Sequence, residues 1–97
     1  MRESEVEAYL VKRVKALGGE VRKVKWLGRN GAPDRLAMLP PPALGTWPWP
    51  DTTIWVEIKA TGKKPEPHQL REHKRMRRMG QRVEVIDSLE GVDALLA

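Results

Sequence analysis

The chain has 97 residues, enough for one modest domain, and no cysteine. It therefore has no disulfide framework, no thiol nucleophile and no cysteine-based zinc site. Its 18 lysines and arginines outweigh 13 acidic residues, and the resulting net charge of +5 favours a polyanionic partner. No apolar run is long enough to span a membrane, and the N-terminus lacks the apolar stretch of a signal peptide. We therefore expect a soluble, cytoplasmic protein.

Apolar residues recur with helical spacing near the N-terminus, which predicts a helix over Glu3–Leu17 that ends at Gly18-Gly19. The apolar stripe consists of Val6, Leu10, Val14 and Leu17. Glu3 and Glu7 lie within or beside this stripe. Acidic residues in a first turn also favour the helix dipole, so a functional and a structural interpretation of these glutamates both remain open.

Two strands and a loop are predicted next. Glu20 to Trp26 is typical of a short edge strand with a basic side, and Arg35 to Leu39 of a more buried strand. The segment Pro40–Asp51 contains five prolines and must be a loop, because proline cannot donate to a strand ladder. Its Trp47 and Trp49 suit packing against the fold or a second subunit, or stacking on bases.

The third predicted strand, Thr53 to Ala60, alternates with a period of two. One face carries Ile54, Val56 and Ile58, and the other carries Trp55, Glu57 and Lys59. A carboxylate and an ammonium therefore project from the same sheet face. Asp34, at the start of the second strand, supplies another carboxylate if the two strands are neighbours.

A basic turn, Thr61–Pro67, leads into a helix predicted from His68 to Met79 and ended by Gly80. Its broad inward face is predicted to hold Gln69, Leu70, His73, Met76 and Met79. The opposite face holds Arg71, Lys74, Arg75 and Arg78, relieved mainly by Glu72. Solvated helices often carry charges, but this almost unbroken positive charge favours a surface that follows phosphates.

Arg82 to Ile86 predicts a fourth strand, and Asp87 with Glu90 resembles a capping pair for a last helix ending at Leu96. The element order is αβββαβα. The crossover from the third strand to the fourth predicts that these two strands run parallel. We therefore expect an α/β fold over residues 1–97, with a mixed four-stranded sheet flanked by helices.

The spacing of acidic residues suits phosphodiester hydrolysis, which needs an activated water and neutralisation of developing charge. Asp34 and Glu57 offer two metal ligands, Glu7 a third, and the main-chain carbonyl of Ile58 an uncharged oxygen. Lys59 is placed to hold the attacking water or to stabilise the charge on the phosphorane. Taken alone, Glu57 and Lys59 equally suit an ordinary surface ion pair.

The sequence resembles a stand-alone virus-type replication-repair nuclease (VRR-Nuc) domain of the PD-(D/E)xK nuclease superfamily. The matching segments cover nearly the whole chain: Glu3–Glu7 with Leu10, Gly18-Gly19, Gly31–Arg35, Trp55–Ala60, Gln69 with His73, and Val83–Asp87. One departure is the long loop between the second and third strands, which leaves the substrate geometry and the dimer arrangement open.

The resemblance implies a restriction-endonuclease-like core and a Mg²⁺- or Mn²⁺-dependent endonuclease that recognises DNA shape. Asp34 and Glu57 would bind metal, Lys59 would be catalytic, and Gln69 would support the site. Stand-alone members are similar to homodimeric Holliday-junction resolvases, often encoded by phages. The motif does not decide between Glu3 and Glu7, since both positions resemble the family.

We therefore expect a homodimeric, metal-dependent endonuclease acting on branched DNA. The cations expected to contact DNA are Lys23, Lys25, Arg29, Arg35, Lys63, Lys64, Arg71, Lys74, Arg75 and Arg78. One alternative is a flap, nicking or restriction-like nuclease on the same scaffold. The other is a non-catalytic DNA-binding module, which is disfavoured because Asp34, Glu57 and Lys59 are all present.

Overall fold

A computed structural model describes residues 1–40 and 52–97 of the chain. The elements are α1 (Glu3–Ala16), β1 (Glu20–Lys23), β2 (Arg35–Met38), β3 (Thr53–Ile58), α2 (Pro67–Arg78), β4 (Val83–Ile86) and α3 (Leu89–Leu95). Their order is the predicted αβββαβα. The predicted Pro40–Asp51 loop, including Trp47 and Trp49, lies outside the described residues except for Pro40.

The four strands form one mixed sheet in the order β1-β2-β3-β4. β1 pairs with β2 and β2 with β3 in antiparallel fashion, whereas β3 and β4 are parallel. The crossover through α2 accounts for the parallel pair, and β1 lies at an edge, both as predicted. The predicted fold class is confirmed.

The main core lies between the sheet and the helices α1 and α3. Its buried side chains are Val6, Leu10 and Val14 of α1, Ala37, Ile54, Val56, Ile58 and Ile86 of the sheet, and Val92 of α3. Each such side chain contributes about 1.5–3 kcal/mol by leaving water. Leu17 was predicted to share this stripe but is exposed, because α1 ends at Ala16 and Gly18 turns the chain at a φ of +88°.

α2 packs against the opposite face of the sheet, with His73 and Met76 buried as predicted, but its inward face differs at three other positions. Leu70 and Met79 are 51% and 68% exposed, whereas Glu72 is buried. The Glu72 carboxylate tolerates burial because the guanidinium groups of Arg75 and Arg29 lie 2.8 and 3.6 Å from its Oε1. Glu72 therefore belongs to the packed face of α2 and not to its basic surface.

Two boundaries also differ from the predictions. β1 ends at Lys23 and does not reach Trp26. The helix α3 is capped by Ser88, whose Oγ accepts a hydrogen bond from the Gly91 N–H at 2.9 Å, and not by Asp87. The Asp87 carboxylate instead accepts a hydrogen bond from the Gly62 N–H at 3.1 Å, and so holds the turn before α2.

Candidate active site

Asp34 and Glu57 meet where β2 begins and β3 ends. Arg35 pairs with Val56, so the antiparallel register continued by one residue places Asp34 opposite Glu57. Directly opposite residues of such a pair project to the same face of the sheet. Asp34 is exposed, whereas Glu57 is only 8% exposed. The structure thus combines an accessible carboxylate with a sheltered one.

The Glu57 carboxyl lies in an environment that resists its ionisation. The pKa of Glu57 is raised to about 7, chiefly by burial. The negative charges of Asp34 and Glu3 add to this rise, and the positive charges of Lys59 and Arg35 oppose it. A cation bound between these acidic groups would relieve their repulsion. Lys59 follows Glu57 by two residues, as the predicted alternation requires.

Contacts with Trp26 and His68 fix the segment Gly31–Pro33, which immediately precedes Asp34. The Trp26 indole N–H donates a hydrogen bond to the Pro33 carbonyl at 2.8 Å, and Pro33 is fully buried. Gly31 adopts a φ of +87°, and a Cβ there would lie 2.9 Å from the His68 carbonyl oxygen. Only glycine fits this close approach, which packs the segment against the start of α2.

Arg35 links Glu7 to Asp34. Its Nε and Nη2 donate to the two carboxylate oxygens of Glu7 at 3.0 and 2.9 Å, and its Nη1 lies 3.0 Å from Asp34 Oδ1. The hydrogen bonds from Arg35 lower the pKa of Glu7. Arg35 shares a sheet face with its partner Val56, which is the α1 face and not the face of Glu57. Glu7 therefore contacts Arg35, whereas Glu3 is the α1 carboxylate whose charge acts on Glu57.

Two further predicted site residues, Ile58 and Gln69, and one additional residue, His73, have defined surroundings. Ile58 follows Glu57 and buries its side chain in the core. Gln69 accepts a hydrogen bond from the Glu66 N–H at 2.8 Å and so helps to cap α2. His73, on the buried face of α2, lies 3.3 Å from Glu57 Oε1 through its Nε2.

The cations predicted to contact DNA fall into three groups. Seven are exposed and form no ion pair with another described residue: Lys23, Lys25, Lys63, Lys64, Arg71, Lys74 and Arg78. Arg29 and Arg75 are exposed and pair with the buried Glu72. The Arg35 side chain is only 12% exposed and pairs with Glu7 and Asp34.

The donor set suits a hard divalent cation. Within residues 1–40 and 52–97, no three histidine, cysteine or acidic side chains converge closely enough to enclose a metal ion. Mg²⁺ needs no such cage, because it keeps several waters and takes one or two carboxylates together with substrate oxygens. Carboxylate, carbonyl and water ligands also suit Mn²⁺. Asp34 and Glu57 are carboxylates of the type that such a partial, oxygen-only site uses.

Sequence reasoning gave no role to several residues at the site. His73 was placed on the inward face of its helix, and an inward imidazole facing a strand that carries a glutamate was the available signal. Trp26 was assigned to a strand, although a tryptophan before a turn commonly finds an acceptor for its indole N–H. Nothing in the sequence pattern indicated that Arg35 would join Glu7 to Asp34.

Comparison with known proteins agrees with this architecture. The protein named "Putative nuclease p44" of Acyrthosiphon pisum secondary endosymbiont phage 1 is 43% identical over 88 residues, which span 91% of this chain and 85% of that protein. A solved structure named "VRR_NUC domain" has a TM-score of 0.78 and 40% identity, over 99% of this chain and 96% of that one. This chain belongs to the VRR-Nuc family.

The predicted resemblance is therefore confirmed, and VRR-Nuc membership supports a nuclease. No family model matches the chain. Among the helices in the described part of this VRR-Nuc protein, none is long and apolar enough to cross a membrane.

Proposed function

We propose that this VRR-Nuc protein is a divalent-metal-dependent endonuclease that hydrolyses phosphodiester bonds in branched DNA. Four-way junctions are the preferred substrate, and the active form is a homodimer. The observation that carries the proposal is the register of β2 and β3, which, continued by one residue, brings Asp34 opposite Glu57, two residues before Lys59.

The Asp34 and Glu57 carboxylates would hold Mg²⁺ or Mn²⁺, together with the main-chain carbonyl of Ile58. Of the two α1 glutamates, Glu3 would contribute through its charge, which acts on Glu57, and not as a third ligand, whereas Glu7 is bound by Arg35. When bound, the metal ion supplies an activated water and a positive charge beside the scissile phosphate.

The surrounding side chains orient the reacting groups. The Lys59 ammonium lies close enough to Glu57 to lower its pKa, and it would stabilise negative charge as it develops on the phosphate. Glu7 orients Arg35, which in turn holds Asp34. Gln69 supports the site from the first turn of α2.

DNA binding would use the exposed cations of α2, because this helix lies next to Glu57. The exposed cations Arg71, Lys74 and Arg78 lie on this helix. Contacts from such cations to phosphates position a duplex without reading its sequence, so recognition would depend on DNA shape and on salt. Each chain carries one site, and a two-fold pair of chains would cut symmetric strands of a junction.

The test is cleavage of four-way junction, flap, duplex and single-stranded DNA with Mg²⁺, Mn²⁺ or EDTA. We expect metal-dependent cleavage that is fastest on the junction, and a dimer by light scattering under the same conditions. Preferred cleavage of flaps or of plain duplex would contradict the junction assignment. A monomer with full activity would contradict the paired-cut model, and no cleavage of any substrate would contradict the enzyme itself.

A further inference from the structure

His73 is the most deeply buried polar side chain near the candidate site. Its residue is 0% exposed, and its Nε2 lies 3.3 Å from Oε1 of Glu57. A buried histidine on an inward helix face would ordinarily be part of the packing. This one instead meets the sheltered carboxylate on which the proposed metal site depends.

The surroundings of the His73 ring indicate which nitrogen carries the proton. Within the part of the chain that the structure describes, Nδ1 is buried and has no hydrogen-bond partner. A proton on Nδ1 would leave an unpaired N–H donor in the interior, which proteins tolerate less well than an under-satisfied acceptor. The proton therefore belongs on Nε2, where it can be donated to Glu57 Oε1.

The same surroundings disfavour the doubly protonated ring. An imidazolium would need a partner at Nδ1 as well as at Nε2. The ring is thus a neutral donor that faces a carboxylate.

We propose that His73 is a positioning residue for Glu57: its Nε2–H holds Oε1, so that Oε2 is left free to bind the catalytic cation. This inference rests on the proposed function, since it gives Glu57 a metal to bind. Partners that orient a ligating group typically change metal affinity by about 10–100-fold when they are removed. If His73 served only in packing, replacing it would lower the stability of the fold and leave the metal affinity unchanged.

The first measurement is made on the wild-type protein. In ¹⁵N NMR of histidine-labelled protein without metal, at a pH above 7 where Glu57 is ionised, the His73 ring is expected to show a protonated Nε2 and a bare Nδ1. A proton on Nδ1 would overturn the inference. This measurement needs neither a variant that folds nor a cleavage assay.

The second measurement is Mn²⁺ affinity by calorimetry, without DNA, for the wild type, His73→Leu and His73→Gln. His73→Leu removes the donor and keeps an apolar side chain, whereas the amide nitrogen of His73→Gln can reach the position of Nε2. Met76→Leu is the control, because Met76 is also buried on α2 and the substitution conserves volume. Unfolding in urea with EDTA is measured in parallel for every variant.

We expect His73→Leu to weaken Mn²⁺ binding about 10–100-fold, His73→Gln to recover part of the loss, and Met76→Leu to leave binding unchanged. If His73→Leu does not fold, the inference is decided by whether His73→Gln binds Mn²⁺ more weakly than Met76→Leu does. Unchanged affinity in folded His73 variants would overturn this inference and leave the proposed function standing. A wild type that neither binds Mn²⁺ nor cleaves DNA would overturn both.

Discussion

Arg35 binds Glu7 through two hydrogen bonds, of 3.0 and 2.9 Å, and its remaining terminal nitrogen lies 3.0 Å from Asp34 Oδ1. A planar guanidinium joins two carboxylates in this way without giving up its charge. The helix α1 is thereby connected to the residue that opposes Glu57. Two α1 glutamates, Glu3 and Glu7, consequently have different surroundings although they lie one turn apart.

This difference predicts separate effects for the two glutamates. Glu7→Gln should lower the free energy of unfolding by about 1–2 kcal/mol, because it weakens two hydrogen bonds from a charged donor. Glu3→Gln, at an exposed position, should change stability by less than about 0.5 kcal/mol but weaken Mn²⁺ binding. Urea unfolding in EDTA and calorimetric titration measure the two quantities. Weaker Mn²⁺ binding in Glu7→Gln at unchanged stability would reverse the assignment.

The raised pKa of Glu57 predicts how stability depends on pH without metal. Folded Glu57 holds its proton up to about pH 7, whereas the unfolded carboxyl releases it near 4.5. Its contribution is therefore complete below pH 4.5 and is lost as the pH rises towards 7, at up to about 1.4 kcal/mol per unit. His73 acts in the opposite direction, because its lowered pKa removes stability as the pH falls below the usual histidine pKa of about 6.5.

The Glu57 contribution is isolated by comparing the wild type with Glu57→Gln in EDTA between pH 5 and 7.5. We expect the stability of the wild type relative to Glu57→Gln to decrease steadily with rising pH. Asp34, Glu3, Lys59 and Arg35 are the charges that act on Glu57, and they are common to both proteins. Parallel stability curves for the two proteins would show that Glu57 ionises normally.

Trp26 predicts an effect on catalysis from outside the site. Trp26→Phe removes the indole N–H that holds the Pro33 carbonyl at 2.8 Å and should displace Asp34. We expect cleavage to slow by roughly 3–30-fold at saturating metal, because small misplacements of reacting groups are costly. Trp55→Phe is a matched control, since its indole N–H donates to the exposed Gln81 instead. The rings of Trp26 and Trp55 pack with their centroids 5.1 Å apart, so equal losses in both variants would indicate general damage to this pair.

If DNA binds at α2, removing a positive charge from α2 should weaken DNA binding more than removing one from α1, on the opposite face of the sheet. Lys74→Ala on α2 should weaken junction binding and reduce the slope of log affinity against log salt by about 1. Lys12→Ala, on α1 at the opposite face, removes the same exposed charge and should have little effect. Binding is measured by fluorescence anisotropy at several salt concentrations with EDTA present. An equal loss in Lys12→Ala would show that only net charge matters.

The elements that the sequence predicted well are those with a strong periodic pattern. Val6, Leu10 and Val14 repeat at helical spacing. From Ile54 to Lys59, successive side chains alternate between an apolar set and a second set, as the two faces of a strand require. Both patterns follow from the geometry of the backbone alone. The parallel arrangement of β3 and β4 follows from chain connectivity, which is equally local information.

The elements that were predicted wrongly depend on contacts between distant residues. Glu72 occupies an inward position because Arg29, from another segment, helps to neutralise its charge. A helical wheel shows only residues of the same helix and therefore cannot predict this contact. Leu70 was predicted to face inward from its position on the helical wheel, but it is 51% exposed. The separate surroundings of Glu3 and Glu7 likewise depend on Arg35, which lies 28 residues beyond Glu7.

The most direct test of the account is junction cleavage in Mg²⁺ by Asp34→Asn, Glu57→Gln and Lys59→Met, each confirmed to be folded by circular dichroism. These substitutions keep the shape of each side chain and remove its charge. The account predicts that each lowers the cleavage rate by at least about 100-fold while junction binding in EDTA is retained. Wild-type cleavage rates in Asp34→Asn or Glu57→Gln would contradict it.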